Sequence, residues 1–381
     1  MAAAPGLIAS PPARGTSWFP SRWERLSGES RLTGVDLARG LAILGMFAAH
    51  LVAIDPIVWT DASTWGGIVH GRSSILFATL AGVSIGLMSG GPAPRPWAAL
   101  RVVRLRLVVR AVILWLLGVL LIATGVPVYV ILPAYAVLFV LAIPLLSLSS
   151  RVLLPLAAAL ALAMPLVQAV VDASAFWRTD PGGALSLVLG WHYPFLTWIA
   201  FVVAGMGLAR AGLRRTTVQV GMLVTGLVLA VLAYTLDVVS GADEASESAS
   251  WWGAVWTARA HSTGLLEVVG SGGFALAVLG ACLLVCRTVI VWVVLPLRAV
   301  GAMPLTAYTA QIVAWALVAQ AALGDPSDLV GFRALEPFAP FVAWTIVGCT
   351  AWALMVGRGP LEWFVDMAAR RIVPRARATE D

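Results

Sequence analysis

The chain has 381 residues, of which 60% are hydrophobic and only 12% charged, about half the roughly 25% of an ordinary soluble domain. A mean hydropathy of +0.92 and that shortage of polar groups exclude a water-soluble globular protein, and chain-wide disorder is excluded because it needs low hydrophobicity. The 25 basic residues against 19 acidic ones do not point to nucleic acid, since every basic residue is an arginine and the arginines stand in short runs between apolar segments, the pattern of the positive-inside rule.

In chain order, residues 1–30 lack the basic start and apolar core of a signal peptide and read as a cytoplasmic tail. The run TSWFPSRWERLSGE, with Trp18, Phe19, Trp23, Arg22 and Arg25, suits the membrane surface. Ten apolar runs follow, near 35–54, 69–90, 105–124, 127–147, 152–172, 194–212, 217–238, 264–286, 303–322 and 337–357, each near the length that crosses a bilayer. The connectors alternate. Basic ones carry Arg95, Arg101 and Arg104, then Arg151, then Arg210, Arg214 and Arg215, then Arg287 and Arg298, and the tail adds Arg358, Arg370, Arg371, Arg375 and Arg377. The others (55–66, 125–126, 173–193, 239–263 and 323–336) are poor in arginine or acidic, as with Asp243, Glu244 and Glu247. The expectation is an all-α, polytopic integral membrane helix bundle of about ten transmembrane helices over 31–357, both termini cytoplasmic, with 358–381 a basic tail. Segment 288–300 is apolar but short and holds Pro296 and Arg298, so it reads as a surface or re-entrant helix.

Tryptophans at span ends (Trp59, Trp65, Trp177, Trp191, Trp251, Trp252, Trp256) form an interfacial belt. Gly82 with Gly86, and Gly270, Gly272 and Gly273, predict close helix packing. Cys282, Cys286 and Cys349 lie in apolar runs and read as packing residues, with no metal or disulfide spacing.

Charge inside a bilayer is costly and calls for a partner or a job. The first span carries Asp36, Arg39 and His50. Asp36 and Arg39 are spaced to pair on one helix face. Arg39 and His50, eleven residues apart, share a side and differ in depth by about 16 Å. Arg39 is expected toward the cytoplasm and His50 toward the outside. The second span opens with His70, Arg72, Ser73 and Ser74, after a loop holding Asp55 and Asp61. His192 and His261 precede the sixth and eighth spans. In this topology all four histidines lie near the outer face, where an imidazole is suited to general-base work. No HExxH or close His pair marks a metal site, and no Ser-centred nucleophile elbow occurs. Tyr308 and Gln311 are expected to bond between helices. Glu267 is expected to snorkel or pair with Arg259, and Glu362 with Trp363 to anchor at the interface.

The run RLTGVDLARGLAILGMFAAH, from Arg31 to His50, resembles the opening helix of the transmembrane acyltransferase superfamily: D-x-x-R-G, then a His with ten residues between it and that Arg. ILFATLAGVSIGLMSG is similar to the second helix of the heparan-α-glucosaminide N-acetyltransferase-like branch. PLTAYTAQ (Pro304 to Gln311) and GRGPLEWF (Gly357 to Phe364) resemble a related bacterial membrane family of unassigned function. The resemblance implies an acyltransferase of the plasma membrane. It would carry an acyl group, often acetyl, from cytoplasmic acyl-CoA (acetyl-CoA) to a hydroxyl or amine of a saccharide on the far side, with no metal. His50 is the implied proton acceptor; His70, which has no clear counterpart in the family, is the second catalytic candidate from its place at the outer end of the second span. Asp36, Arg39, Arg101 and Arg104 are the residues for the CoA phosphates, and Asp61, Arg72, His192 and His261 those for the acceptor and the oxyanion. The implied surroundings are the lipid bilayer and a saccharide acceptor, without nucleic acid and with room for a homo-oligomer. One departure is visible: the heparan branch sets its catalytic His before a Trp in the first outer loop, and this chain has DASTW there, with Asp61 in its place. A transporter is the other class considered. It would show pseudo-repeats with broken helices at the midplane, and the two halves of this chain have no convincing similarity.

Overall fold

A computed structural model describes residues 24, 26–28, 31–55, 57–58, 61–242 and 250–374. The aromatic run around Trp18, together with Trp59, Asp243, Glu244, Glu247, Arg375 and Arg377, lies outside the described residues. Among the described ones there are sixteen α-helices and no strand. In chain order they are α1 Thr33–Leu51, α2 Arg72–Met88, α3 Trp97–Ile122, α4 Leu132–Ala142, α5 Ser150–Asp172, α6 Asp180–Leu189, α7 Phe195–Ala211, α8 Thr216–Ser240, α9 Trp251–Val255, α10 Leu265–Val285, α11 Ile290–Val293, α12 Leu295–Ala302, α13 Pro304–Leu323, α14 Leu329–Ala334, α15 Phe338–Met355 and α16 Pro360–Ile372.

Eight of these are long and apolar enough to span a membrane, and two shorter apolar helices, Leu132–Ser147 (α4 with its 3-10 extension) and Phe195–Ala211 (α7), complete the expected ten. The chain is a multi-pass membrane bundle. α1, α2, α7 and α10 bury most of their side chains, while α3, α5, α8 and α15 turn broad apolar faces outward, among them Leu120, Val170, Val231 and Trp344. In a bilayer such faces meet lipid and need no protein partner.

Small residues decide the tightest approaches. A Cβ on Gly82 would sit 2.0 Å from the Val202 carbonyl oxygen, and one on Gly205 equally close to that of Thr79, so α2 and α7 meet backbone to backbone. Gly226 and Gly273 do the same for α8 and α10. The 288–300 segment does not cross. It forms α11 and α12, and α12 packs on α1, where Gly40 faces the Leu297 carbonyl and Gly301 that of Asp36. Arg298 is buried and bonds the Leu26 carbonyl and Ser27 Oγ.

Arginines knot one end of the bundle. Arg210 donates to the carbonyls of Gly86, Gly91, Leu146 and Leu148 and to Ser89 Oγ, tying the ends of α2, α4 and α7 to the start of α5. Arg287 bonds the Arg214 carbonyl. Arg106 bonds that of Val373, and Arg110 pairs with Asp366 on α16. Both ends of the described chain lie here, and the positive-inside rule makes this end cytoplasmic. Glu362 on α16 accepts from the N–H groups of Leu305 and Thr306 and from Thr306 Oγ1. Expected as an interfacial anchor, it caps α13, whose first N–H groups have no intrahelical partner.

The two short spans explain the opposite end. Sixteen or seventeen residues rise only about 24–26 Å, less than the roughly 30 Å apolar layer. The chain before each one, 126–131 and 190–194, enters the bundle as irregular backbone. Such backbone is tolerated at that depth where it lines a cavity. Val126, Val130 and Ile131 are buried, and the Ile131 N–H donates to Tyr308 Oη.

Candidate functional site

A cavity of about 430 Å³ opens at the end opposite the arginines, and all four histidines of the chain line it. His50 comes from the last turn of α1, His70 from the turn before α2, His192 from the irregular stretch before α7 and His261 from the loop before α10. Their gathering at one end was legible from topology. Their convergence on one cavity was not.

His50 is held through its backbone: Arg333 on α14 donates Nε and Nη2 to its carbonyl at 3.2 and 3.0 Å, closing the end of α1. The ring Nδ1 is buried with no partner among the described residues, and the same holds for both amide atoms of Gln311, which faces the imidazole. A buried imidazole therefore stands against a buried amide at the inner side of the cavity. Gln311, expected to bond between helices, meets the His50 side chain of α1, and Tyr308 bonds the Ile131 N–H. His70 hydrogen-bonds the backbone of Ile54 and leaves Nε2 without a partner among the described residues.

His192 stacks on Tyr129 with ring centroids 3.4 Å apart, and burial lowers its pKa. His261 sits edge-on to Tyr193. Burial of its ring, then the neighbouring His70 and His192, push its pKa down, and an exposed face lets water moderate the shift. His261 and Thr263 both have positive φ, 65° and 57°, and Glu267 holds that strained turn. Its carboxylate accepts from the N–H groups of His261 and Thr263, each at 2.6 Å, and from Ser262 Oγ at 3.2 Å. Glu267 neither snorkels nor depends on Arg259. It fixes the loop that presents His261, a role invisible in a sequence because its partners are backbone N–H groups.

The other expected residues stand elsewhere. Arg72 is buried and does not line the cavity. Its Nε donates to Tyr234 Oη at 2.7 Å, and that phenol is 3.0 Å from Ser271 Oγ. Asp61 is exposed at the start of a 3-10 turn, where it accepts from the N–H and Oγ of Ser63, and those two bonds lower its pKa. Asp36 and Arg39 pair as spaced, at 3.2 Å; Arg31 joins Asp36 at 2.5 Å, and Arg39 Nη2 reaches Ser84 Oγ. Arg101 is exposed, and Arg104 lies over the Trp97 ring at 4.0 Å. A cleft between α3 and α16 is lined instead by Arg95, Arg106, Arg110 and Arg370, with Asp366 as its single carboxylate. Burial works against ionisation of Asp366, but Arg358 and Arg370 outweigh it and hold its carboxyl below the usual range.

Sequence reasoning passed over Tyr129, Asp172, Tyr193 and Arg333 and read Trp191 only as part of the interfacial belt; all five also line the cavity. Asp172 accepts from Trp191 Nε1 and Gln168 Nε2. The signal for Arg333 was its being the one arginine in an otherwise arginine-free outer connector, 323–336. Among the described residues, no three His, Cys, Asp or Glu side chains are grouped as metal ligands.

Comparison with known proteins gives two matches. The family profile described as heparan-alpha-glucosaminide N-acetyltransferase, catalytic, matches residues 31–238, more than half of the chain. One described as a protein of unknown function (DUF418) matches residues 207–371. No curated protein and no solved structure matches the chain.

Proposed function

The chain belongs to the heparan-alpha-glucosaminide N-acetyltransferase catalytic family, and on that premise we propose that it transfers an acyl group, acetyl first of all, from cytoplasmic acyl-CoA to an extracytoplasmic saccharide. The observation that carries this reading is the convergence of all four histidines on one outer cavity, opposite an arginine-rich end. The membrane is the plasma membrane, with acceptors in the cell envelope.

In the reaction a hydroxyl or amine of the saccharide attacks the thioester carbonyl carbon. His50 takes the proton through its unpartnered nitrogen. The C–S bond breaks, the acyl group stays on the acceptor, and the imidazolium returns its proton to the departing CoA thiolate. His261 and His192, both biased toward the neutral base form, assist and position. The oxyanion faces a cation, and Arg333, at the cavity wall beside His50, suits that task better than the buried Arg72. His70 orients the acceptor. Asp61, exposed on its turn, contacts a long glycan only at the rim.

The donor's phosphates need cations on the opposite face. The cleft with Arg95, Arg106, Arg110 and Arg370 against one carboxylate has the required excess, and Arg101 stands on the same helix. Arg39 serves chiefly as an ion-pair partner of Asp36.

The test is acyl-CoA turnover by purified protein in lipid nanodiscs, with acetyl-CoA and a panel of amino sugars and envelope glycans. CoA release that depends on an acceptor, and that His50→Ala reduces at least a hundredfold while leaving the melting temperature intact, supports the reading. Folded protein that neither binds nor consumes acyl-CoA overturns it.

A further inference from the structure

We propose that the acceptor is an amphiphile, a saccharide carried on a membrane-embedded hydrocarbon chain, and that it reaches the histidines sideways from the outer leaflet. This rests on the acyl-transfer reading and names the class of its acceptor.

The histidine cavity does not end at its polar wall. A second groove of about 300 Å³ runs alongside it, and the two share Pro127, Val128, Tyr129, His192 and Tyr193. The stacked Tyr129 and His192 rings stand where they adjoin. Beyond that stack the groove has no further imidazole or carboxylate, and the side chains of Ile122 and Leu187 line it beside the backbone of 126–130.

The groove also adjoins faces that turn apolar side chains outward. Its walls are the end of α3, the irregular stretch before α4 and the end of α6. The indole N–H of Trp115 donates to the Val188 carbonyl. That bond ties the end of α6 against the last turns of α3. Leu185, Leu187 and Val188 on α6, and Leu116 and Leu120 on α3, are exposed large apolar side chains. A helix with leucine outward, packed beside the apolar outer face of α3, flanks an opening suited to lipid rather than to water. A soluble saccharide gains nothing from such a passage. A hydrocarbon chain gains there while its polar head sits among the histidines.

The experiment uses full-length protein in nanodiscs and compares one amino sugar, free and as alkyl glycosides of increasing chain length. KM should fall with each added methylene, by up to about fourfold, until the groove is filled. Simple partition into the bilayer also lowers KM, so Leu187→Gln serves as the control: it changes the groove but lines no part of the histidine cavity. The variant should turn over free sugar like wild type and lose most of the chain-length preference. Equal chain-length dependence in both proteins, or equal use of free and tailed sugar by wild type, overturns the proposal. A photoreactive alkyl glycoside gives a readout independent of turnover. Labelling concentrated in residues 122–130 and 187–193 supports lateral access, and labelling spread around the lipid-facing belt overturns it. If no sugar releases CoA yet labelling is concentrated there, acyl transfer fails while the binding route stands.

Discussion

At the scale of single residues, buried charges separate what holds the bundle from what faces its cavity. Asp36 is nearly inaccessible and bridges Arg31 and Arg39, so removing it strands buried positive charge, at a cost of about 3–5 kcal/mol. Asp36→Ala should therefore destabilise at least as much as Arg39→Ala in a thermal melt. A donor KM that changes in Arg39→Ala but not in Asp36→Ala would instead make Arg39 a donor ligand. The pairing was legible from an i, i+3 spacing. The grip of Glu267 on the His261 turn was not, since it depends on loop dihedrals that hydropathy does not encode. The same turn sets a pH dependence. His261 and His192 have folded pKa values below the ordinary histidine value, so below about pH 6.5 the unfolded chain binds more protons than the folded one. The contribution of these two histidines to stability should then fall as pH drops from 6.5 toward the folded values. Glu267, Ser262 and Tyr193 contact this region, and His70 is the nearest other titrating ring. Melting curves from pH 8 to 5, repeated on His261→Gln, check this, and the variant should lose less on acidification.

Elements are specified by two kinds of pattern with different reach. Hydropathy located the eight long helices and the two shorter apolar ones because a bilayer demands length and apolarity, and length with Pro296 set 288–300 apart as a surface or re-entrant helix. For α7 the run 194–212 already had nearly the observed bounds, Phe195–Ala211, but for α4 hydropathy carried no sign of a late start, because residues 126–131 are as apolar as a helix would be. Their irregular course depends on a cavity that only the assembled bundle creates. Glycine spacing reached further. Gly82→Ala forces a methyl against the Val202 carbonyl, so α2 and α7 must part, and the variant should melt markedly lower or fail to accumulate. Gly348, in α15, has nothing within 4 Å of a Cβ. There Gly348→Ala should raise stability by up to about 1 kcal/mol through helix propensity alone. Opposite signs for two glycine substitutions in apolar helices are read by one melting series. Glu362→Ala should fall on the destabilising side, by about 1–2 kcal/mol, as the loss of a helix cap.

For the molecule as a whole, function depends on which face holds the histidines. Arg210, Arg287, Arg298 and the α3–α16 cleft all lie at one end, and the cavity lies at the other. The positive-inside rule fixes the orientation by the arginine loops alone. For the proposed acyl transfer that assignment would make the reaction vectorial, with donor phosphates on the cytoplasmic side and acceptor on the far side, and a single reversal would undo it. Ser327, between α13 and α14, and Arg215, between α7 and α8, are both exposed and stand at opposite ends. In a background with Cys282, Cys286 and Cys349 replaced by alanine, Ser327→Cys should react with a membrane-impermeant maleimide on intact cells. Arg215→Cys should react only after permeabilisation. The converse labelling would put the histidines in the cytoplasm beside the acyl-CoA pool. The acceptor would then be a cytoplasmic molecule, and lateral access would be from the inner leaflet. Labelling as expected leaves one consistent arrangement: an arginine-knotted base toward the donor, and an outer cavity kept open because two spans end early.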